Sequence, residues 1–191
     1  MAEICDTHII LGNHDGLVLN KDRQDAITPI VSALNNPRLH LYKNSGVYPI
    51  AGVPGFNWCV FSCFDEEGWE NVVPVPGEIN IATLHGSVLG SKTDVDWELE
   101  GEVNTDHFRD FDFGFLGDIH MMQYLDPERR IAYPGSTIQQ NYGESPEKGF
   151  LFWEIEDSDN YSSEFIQIPN RRPFVTVDWT GDMESMLREC S

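Results

Sequence analysis

Residues 111–120 set the strongest limit on what this chain can fold into. An apolar strand predicted over residues 111–116 stops at Gly117 and is followed at once by Asp118 and His120. A second short strand, predicted over residues 131–133, ends in Pro134-Gly135-Ser136. A polar run then leads through Gln139, Gln140 and Asn141 to Gly143, Glu144 and Ser145. Strands that carry hard oxygen and imidazole donors out on glycine-loosened loops belong to sheets that do their chemistry at the strand ends. The pattern occurs twice more. A strand over residues 8–11 leads into Gly12-Asn13-His14-Asp15, and one over residues 79–84 leads into His85-Gly86-Ser87. The second of these is continuously apolar, as a strand buried on both faces should be.

Each motif alone has an ordinary explanation. Asn-His-Asp between glycines makes a good turn, and a single histidine at a strand end is often a hydrogen-bonded structural residue. Asp118 and His120 are two apart, so in an extended segment both point to one side. The chemical reading gains weight from the coincidence of three strand ends, each offering oxygen or imidazole donors.

The rest of the chain supports a globular α/β protein. At 191 residues it is long enough for one sizeable core. A helix is predicted over residues 23–34 from Ala26, Ile27, Ile30, Val31 and Leu34, stopped by Asn35-Asn36-Pro37. Strands are predicted over 39–42, 57–64, 121–125, 148–156, 164–168 and 173–178. Residues 46–55 read as a turn-rich hairpin region, 65–76 as a loop with a helical turn near Trp69, and 90–104 as an acidic, mobile stretch. Short helices are predicted over 105–110 and 182–188. Strands with a few helices suggest two packed sheets flanked by helices.

Charge and cysteines narrow the function classes. Twelve basic against 32 acidic residues give a net charge of −20. That argues against a freestanding nucleic-acid binder, and any phosphate-bearing substrate would have to be held by metal ions or a partner. The four cysteines are few, and Cys59 and Cys63 lie on an apolar run where cysteine acts as a small hydrophobe. Without a second pair at finger spacing, zinc is the weaker reading. No apolar run approaches a membrane span and no secretory signal pattern opens the chain, so the expected location is cytoplasmic.

Taken together, Gly12-Asn13-His14-Asp15, His85-Gly86, Gly117-Asp118-Ile119-His120 and Tyr133-Pro134-Gly135-Ser136 resemble the calcineurin-like metallophosphoesterases. Gln139-Gln140, Gly149-Phe150 and Arg171-Arg172-Pro173-Phe174 are similar to the SbcD-like DNA repair exonuclease branch of that family. Order and spacing match over nearly the whole chain. The resemblance implies an α/β two-sheet sandwich flanked by helices, with residues 1–170 as the nuclease domain and 171–191 opening an accessory segment. It implies Asn13, His85, Asp118 and His120 as metal ligands and His14 as the group that assists the leaving oxygen, oriented by Asp15. Ser136 and Gln139 are implied as substrate-binding residues. The implied cofactor is manganese at a two-metal site, with magnesium as the alternative. The implied partners are DNA, an SbcC-like ATPase subunit and a second copy of the chain, with no membrane.

Two departures matter. Asp118 stands where the family usually has a histidine. The family's opening Asp-x-His and Gly-Asp-x-x-Asp motifs, which supply most ligands of the first metal, have no counterpart here. Asp6-Thr7-His8 spells the first but sits only four residues before Gly12, which leaves no room for what should intervene. The chain is therefore expected to be N-terminally truncated relative to the family. Three readings follow: a manganese-dependent DNA exo/endonuclease, a phosphoesterase acting on small phosphoesters, and a non-catalytic assembly module.

Overall fold

The computed structural model describes residues 1–191 except 21, 22, 102, 178, 180, 185–187 and 189–191. Its centre is the strand β5 (Ile79–His85), whose five middle residues are all buried. Parallel neighbours flank it, β4 (Phe56–Phe61) and β6 (Phe113–Gly117), so apolar side chains are covered on both faces. β3 (Gly46–Pro49) pairs antiparallel with β4, β8 (Ile131–Tyr133) runs parallel to β6, and β7 (Gln123–Tyr124) closes the far edge antiparallel to β8. This gives a mixed six-stranded sheet in the order β3-β4-β5-β6-β8-β7. On one face, Phe61, Leu84, Val88, Phe108, Leu116 and Tyr133 form the main apolar core.

Two smaller sheets complete the described structure. β1 (Thr7–Ile10) runs parallel to β2 (Leu39–Tyr42), and β9 (Gly149–Ile155) pairs antiparallel with β10 (Tyr161–Gln167). Among the described residues the sheets therefore number three rather than the expected two. The coarse class stands: a mixed α/β chain with several sheets and few helices.

Several boundaries moved for identifiable reasons. The helix α1 spans Ile27–Leu34 and does not begin at residue 23. Asp25 fixes its start: one carboxylate oxygen accepts from Ile27 N at 3.0 Å and Thr28 N at 2.6 Å. A start at residue 23 would also bury Pro29 inside the helix, where its ring meets the preceding turn; in the observed register it lies in the first turn. Asn35 closes the helix in the left-handed region, as its type allows. The predicted turn near Trp69 is a 3₁₀ helix over Glu66–Asn71, and another spans Thr105–Phe108.

The stretch over 90–104 is not free. Leu89 N donates to Val103 O, Leu99 N to Ser91 O, and Lys92 bridges to Glu98. The strand predicted over 173–178 is absent from its described residues, 173–177. The Gln139 side chain takes up both backbone groups of Phe174, so that residue's pairing is spent on an amide instead of a ladder. The helix predicted over 182–188 falls in part on residues outside the described set. Among the described residues no helix is long and apolar enough to cross a membrane.

Candidate metal centre

The carboxyl ends of β1, β5 and β6 meet, as ligand-bearing loops of open α/β sheets generally do. Asp118 is the meeting point. Its Oδ1 lies 3.5 Å from Asn13 Nδ2 and 3.6 Å from His85 Nε2, and its Oδ2 accepts from Ser87 Oγ at 3.3 Å. These distances are at or beyond the limit of a good hydrogen bond. They are close to the edge of a coordination polyhedron built on bonds of about 2.1 Å. Asn13 can present its amide oxygen as readily as its nitrogen, since the two differ only by a flip.

His85 is held there by the absence of side chains. A Cβ on Gly12 would come within 2.7 Å of His85 Cε1, and one on Gly117 within 2.9 Å of Nδ1. The two glycines thus form a slot for the ring. Burial pushes the His85 pKa below its usual value, against the pull of Asp118 and Asp15; the nearby His14 and His120 lower it further. A neutral imidazole is the form that ligates metal. Asp118 itself sits at φ 93°, a conformation that costs a non-glycine residue about 1–3 kcal/mol. Backbone held in such a state points to a site where position matters more than stability.

The fourth expected ligand, His120, belongs to a second, tightly bonded group. Its Nδ1 meets Glu144 Oε1 at 2.9 Å. Glu144 also accepts from Asn141 Nδ2 and Gln140 N, both at 2.9 Å, and pairs with Lys148 Nζ at 3.1 Å. Lys148 is only 2% exposed and also pairs with Asp94 at 3.3 Å; it donates to His120 O at 3.0 Å. Burial raises the Glu144 carboxyl, but the Gln140 N–H, His120 and Lys148 outweigh it and hold the group below its ordinary value. A carboxylate on one imidazole nitrogen fixes which nitrogen remains for a ligand. Sequence reasoning missed Glu144 and Lys148 as site residues; their signal was weak, a glutamate in a polar run and a lysine four residues on.

The remaining expected residues are placed as follows. His14 is exposed and near enough to influence His85 electrostatically. Asp15, expected to orient it, sends Oδ2 to Gly12 N at 2.7 Å and closes its own loop. Ser136 Oγ donates to Ile138 O at 2.9 Å within its turn. Gln139 is buried and donates to Glu144 O at 2.8 Å as well as holding Phe174. Both ends of its amide are thus engaged by backbone groups of neighbouring segments. Tyr133 is fully buried; its hydroxyl donates to Gly86 O at 2.6 Å and accepts from Val88 N at 3.0 Å, locking the His85-Gly86-Ser87 loop. That burial pushes its pKa to about 12.

Cys59 is buried and Cys63 half-buried, both as free thiols, consistent with packing roles. Among the described residues no three His, Cys, Asp or Glu side chains are gathered closely enough to form a complete metal cluster. The convergent donors at Asp118 include a neutral amide, and His120 is turned toward Glu144. The set of amide, imidazole and carboxylate fits one divalent cation of the hard to borderline kind.

No family model matches the chain. It is similar to the uncharacterized protein R555 of Acanthamoeba polyphaga mimivirus, 36% identical over 190 residues; the match covers 93% of this chain and 14% of that protein. It is also similar to protein 244L of Invertebrate iridescent virus 6, named as a candidate phosphoesterase, 27% identical over 165 residues. That match covers 82% of this chain and 54% of the viral protein. The chain thus spans only part of the length of either relative, and the second points to a phosphoesterase type of protein.

Proposed function

We propose that the chain carries part of the active site of a metal-dependent phosphodiesterase. The observation that supports it most is the meeting of Asn13, His85 and Asp118 from three separate strand ends. These three would hold a divalent cation, manganese or magnesium, with His120 on the adjoining group of residues. A cation bound there supplies positive charge that polarises a phosphoester and acidifies water. The chain's own residues do the rest. Ser87 steadies Asp118, the glycine slot gives the His85 ring its place, and Glu144 fixes the His120 ring. His14, exposed beside His85, would give a proton to the departing oxygen as a water oxygen bonds to phosphorus and the P–O bond to the leaving group breaks.

The substrate we favour is DNA, cut as by an SbcD-type exo/endonuclease, on the strength of the Tyr133–Ser136 and Gln139–Gln140 resemblance. An SbcC-like ATPase and a second copy of the chain are the partners in that reading. The net charge of −20 favours a second reading, hydrolysis of small phosphoesters, because an acidic surface repels a polyanion. Manganese titration followed by electron paramagnetic resonance, with parallel assays on DNA and on bis(p-nitrophenyl) phosphate, tests both. Bound manganese with DNA cleavage supports the nuclease, and bound manganese with turnover of the small diester alone supports the second reading. No manganese binding to wild type, or equal binding to wild type and Asp118→Ala, overturns the site.

A further inference from the structure

Between the two small sheets lies a gap. A cavity of about 380 Å³ is walled by His8 and Ile10 of β1 on one side and Leu151 and Trp153 of β9 on the other. Trp58 and Thr83 of the six-stranded sheet form part of its floor. Two features of this gap are unusual. First, among the described residues β1 pairs only with β2, and β9 only with β10. A two-stranded sheet is marginal by itself, and parallel pairs such as β1–β2 normally sit inside larger sheets. Second, Trp58 Nε1 and Thr83 Oγ1 are buried without any hydrogen-bond partner, and both residues line the gap. Buried polar atoms in this state are rare and call for an explanation. Nearby, α1 leaves Ile30 and Leu34 of its apolar stripe exposed at 55% and 63%.

We propose that the gap between β1 and β9 seats one more β-strand, supplied by a segment of the same polypeptide outside residues 1–191. It would join the two small sheets into one five-stranded sheet packed over the six-stranded one. A small apolar molecule could occupy the volume and reach Trp58, but it would leave both strand edges unpaired. A strand satisfies edges and cavity together, because its backbone pairs sideways while alternate side chains point to the floor. The seat also specifies part of the strand. Its inward face is apolar but presents an acceptor to Trp58, whose indole N–H can only donate. The same polypeptide is the source favoured here because both similar proteins extend well beyond the matched span, this chain covering 54% of one and 14% of the other.

The test compares the 191-residue protein with the product extended to both ends of its open reading frame. Backbone amide exchange is measured at β1 and β9, and binding of the apolar dye 1-anilinonaphthalene-8-sulfonate is followed. The expected result is exchange slower on the order of 100-fold at both edges in the extended product, with loss of dye binding. Unchanged exchange, or a reading frame that adds nothing, overturns the proposal. So does protection of both edges in a dimer of the 191-residue chain, which would make a second copy the occupant. Dye binding that persists in the extended product identifies a small-molecule pocket and also overturns it. None of these outcomes depends on metal binding, so the proposal and the phosphodiesterase reading fail separately.

Discussion

The two halves of the candidate site are built differently. Around His120 the polar groups are bonded to one another at short range about a buried Glu144–Lys148 pair: Glu144 takes up the histidine, an amide side chain, a backbone N–H and Lys148. Around Asp118 the contacts are 3.3–3.6 Å, Asn13 is exposed and the backbone is strained. The first half is finished by the protein alone. The second has donors in place with their mutual attraction unspent, which is what a site completed by a cation requires. A protein can thus fix one side chain rigidly through its supporting residues and leave others nearby loosely held.

The most severe way to break the rigid half is Lys148→Met. It leaves Asp94 and Glu144 buried without their cation, and a loss of about 3–5 kcal/mol is expected in denaturant unfolding. A loss under 1 kcal/mol would mean that the buried pairs do not hold that half together. Glu144→Gln is expected to cost about 1–3 kcal/mol. It should also weaken manganese binding by roughly 10-fold or more and shift the His120 ring nitrogen resonances even before metal is added. Unmoved resonances would show that Glu144 does not position the ring.

The loose half responds in the opposite sense. Asp118→Gly relieves the positive φ and is expected to stabilise the fold by about 1 kcal/mol while abolishing manganese binding. Asp118→Ala should lose the metal without that gain in stability. Equal melting temperatures for the two variants would show that the backbone there stores no strain.

The smallest effect concerns the anchor behind the Gly12 loop, where Ala26 N donates to Asp15 O. Burial pushes the Asp25 carboxyl up, but Lys43 and the Thr28 N–H and hydroxyl more than reverse this and hold it well below 3.8. A carboxyl lowered on folding stabilises the protein above its unfolded pKa, and that contribution fades as pH falls through the folded one. Asp25→Asn is therefore expected to cost about 1 kcal/mol at pH 7, with a difference from wild type that shrinks below pH 3.8. A difference independent of pH would locate Asp25's contribution in shape rather than charge.

Several strands were legible from their apolar runs. In the central sheet β8 matches its predicted bounds and β5 differs by one residue, and β2 of the small β1–β2 sheet matches as well, since apolar runs between turn residues have few other ways to fold. β10 begins three residues earlier than expected, at Tyr161. Ser162 and Ser163 read as loop, and only pairing with Glu154 and Trp153 makes them strand. In the site, Asn13, His85 and Asp118 could be named because donors at strand ends are a local signal. The Glu144–Lys148 pair could not, because a charged side chain looks the same in sequence whether solvent or another side chain neutralises it. Nor could the φ of Asp118, which nothing in an Asp after a glycine announces. Tyr133 shows the converse: it was singled out within a motif, and its hydroxyl proves to be a strut for the His85 loop.

Gln139 gives the segment around residue 174 a mechanical link to the chemistry. The same amide that grips Phe174 also donates to the carbonyl of Glu144, the residue that steadies His120. A pull on the chain past Phe174 is therefore transmitted through a single side chain to an imidazole of the candidate centre. Whatever docks on or extends from that segment has a lever on the angle of the His120 ring.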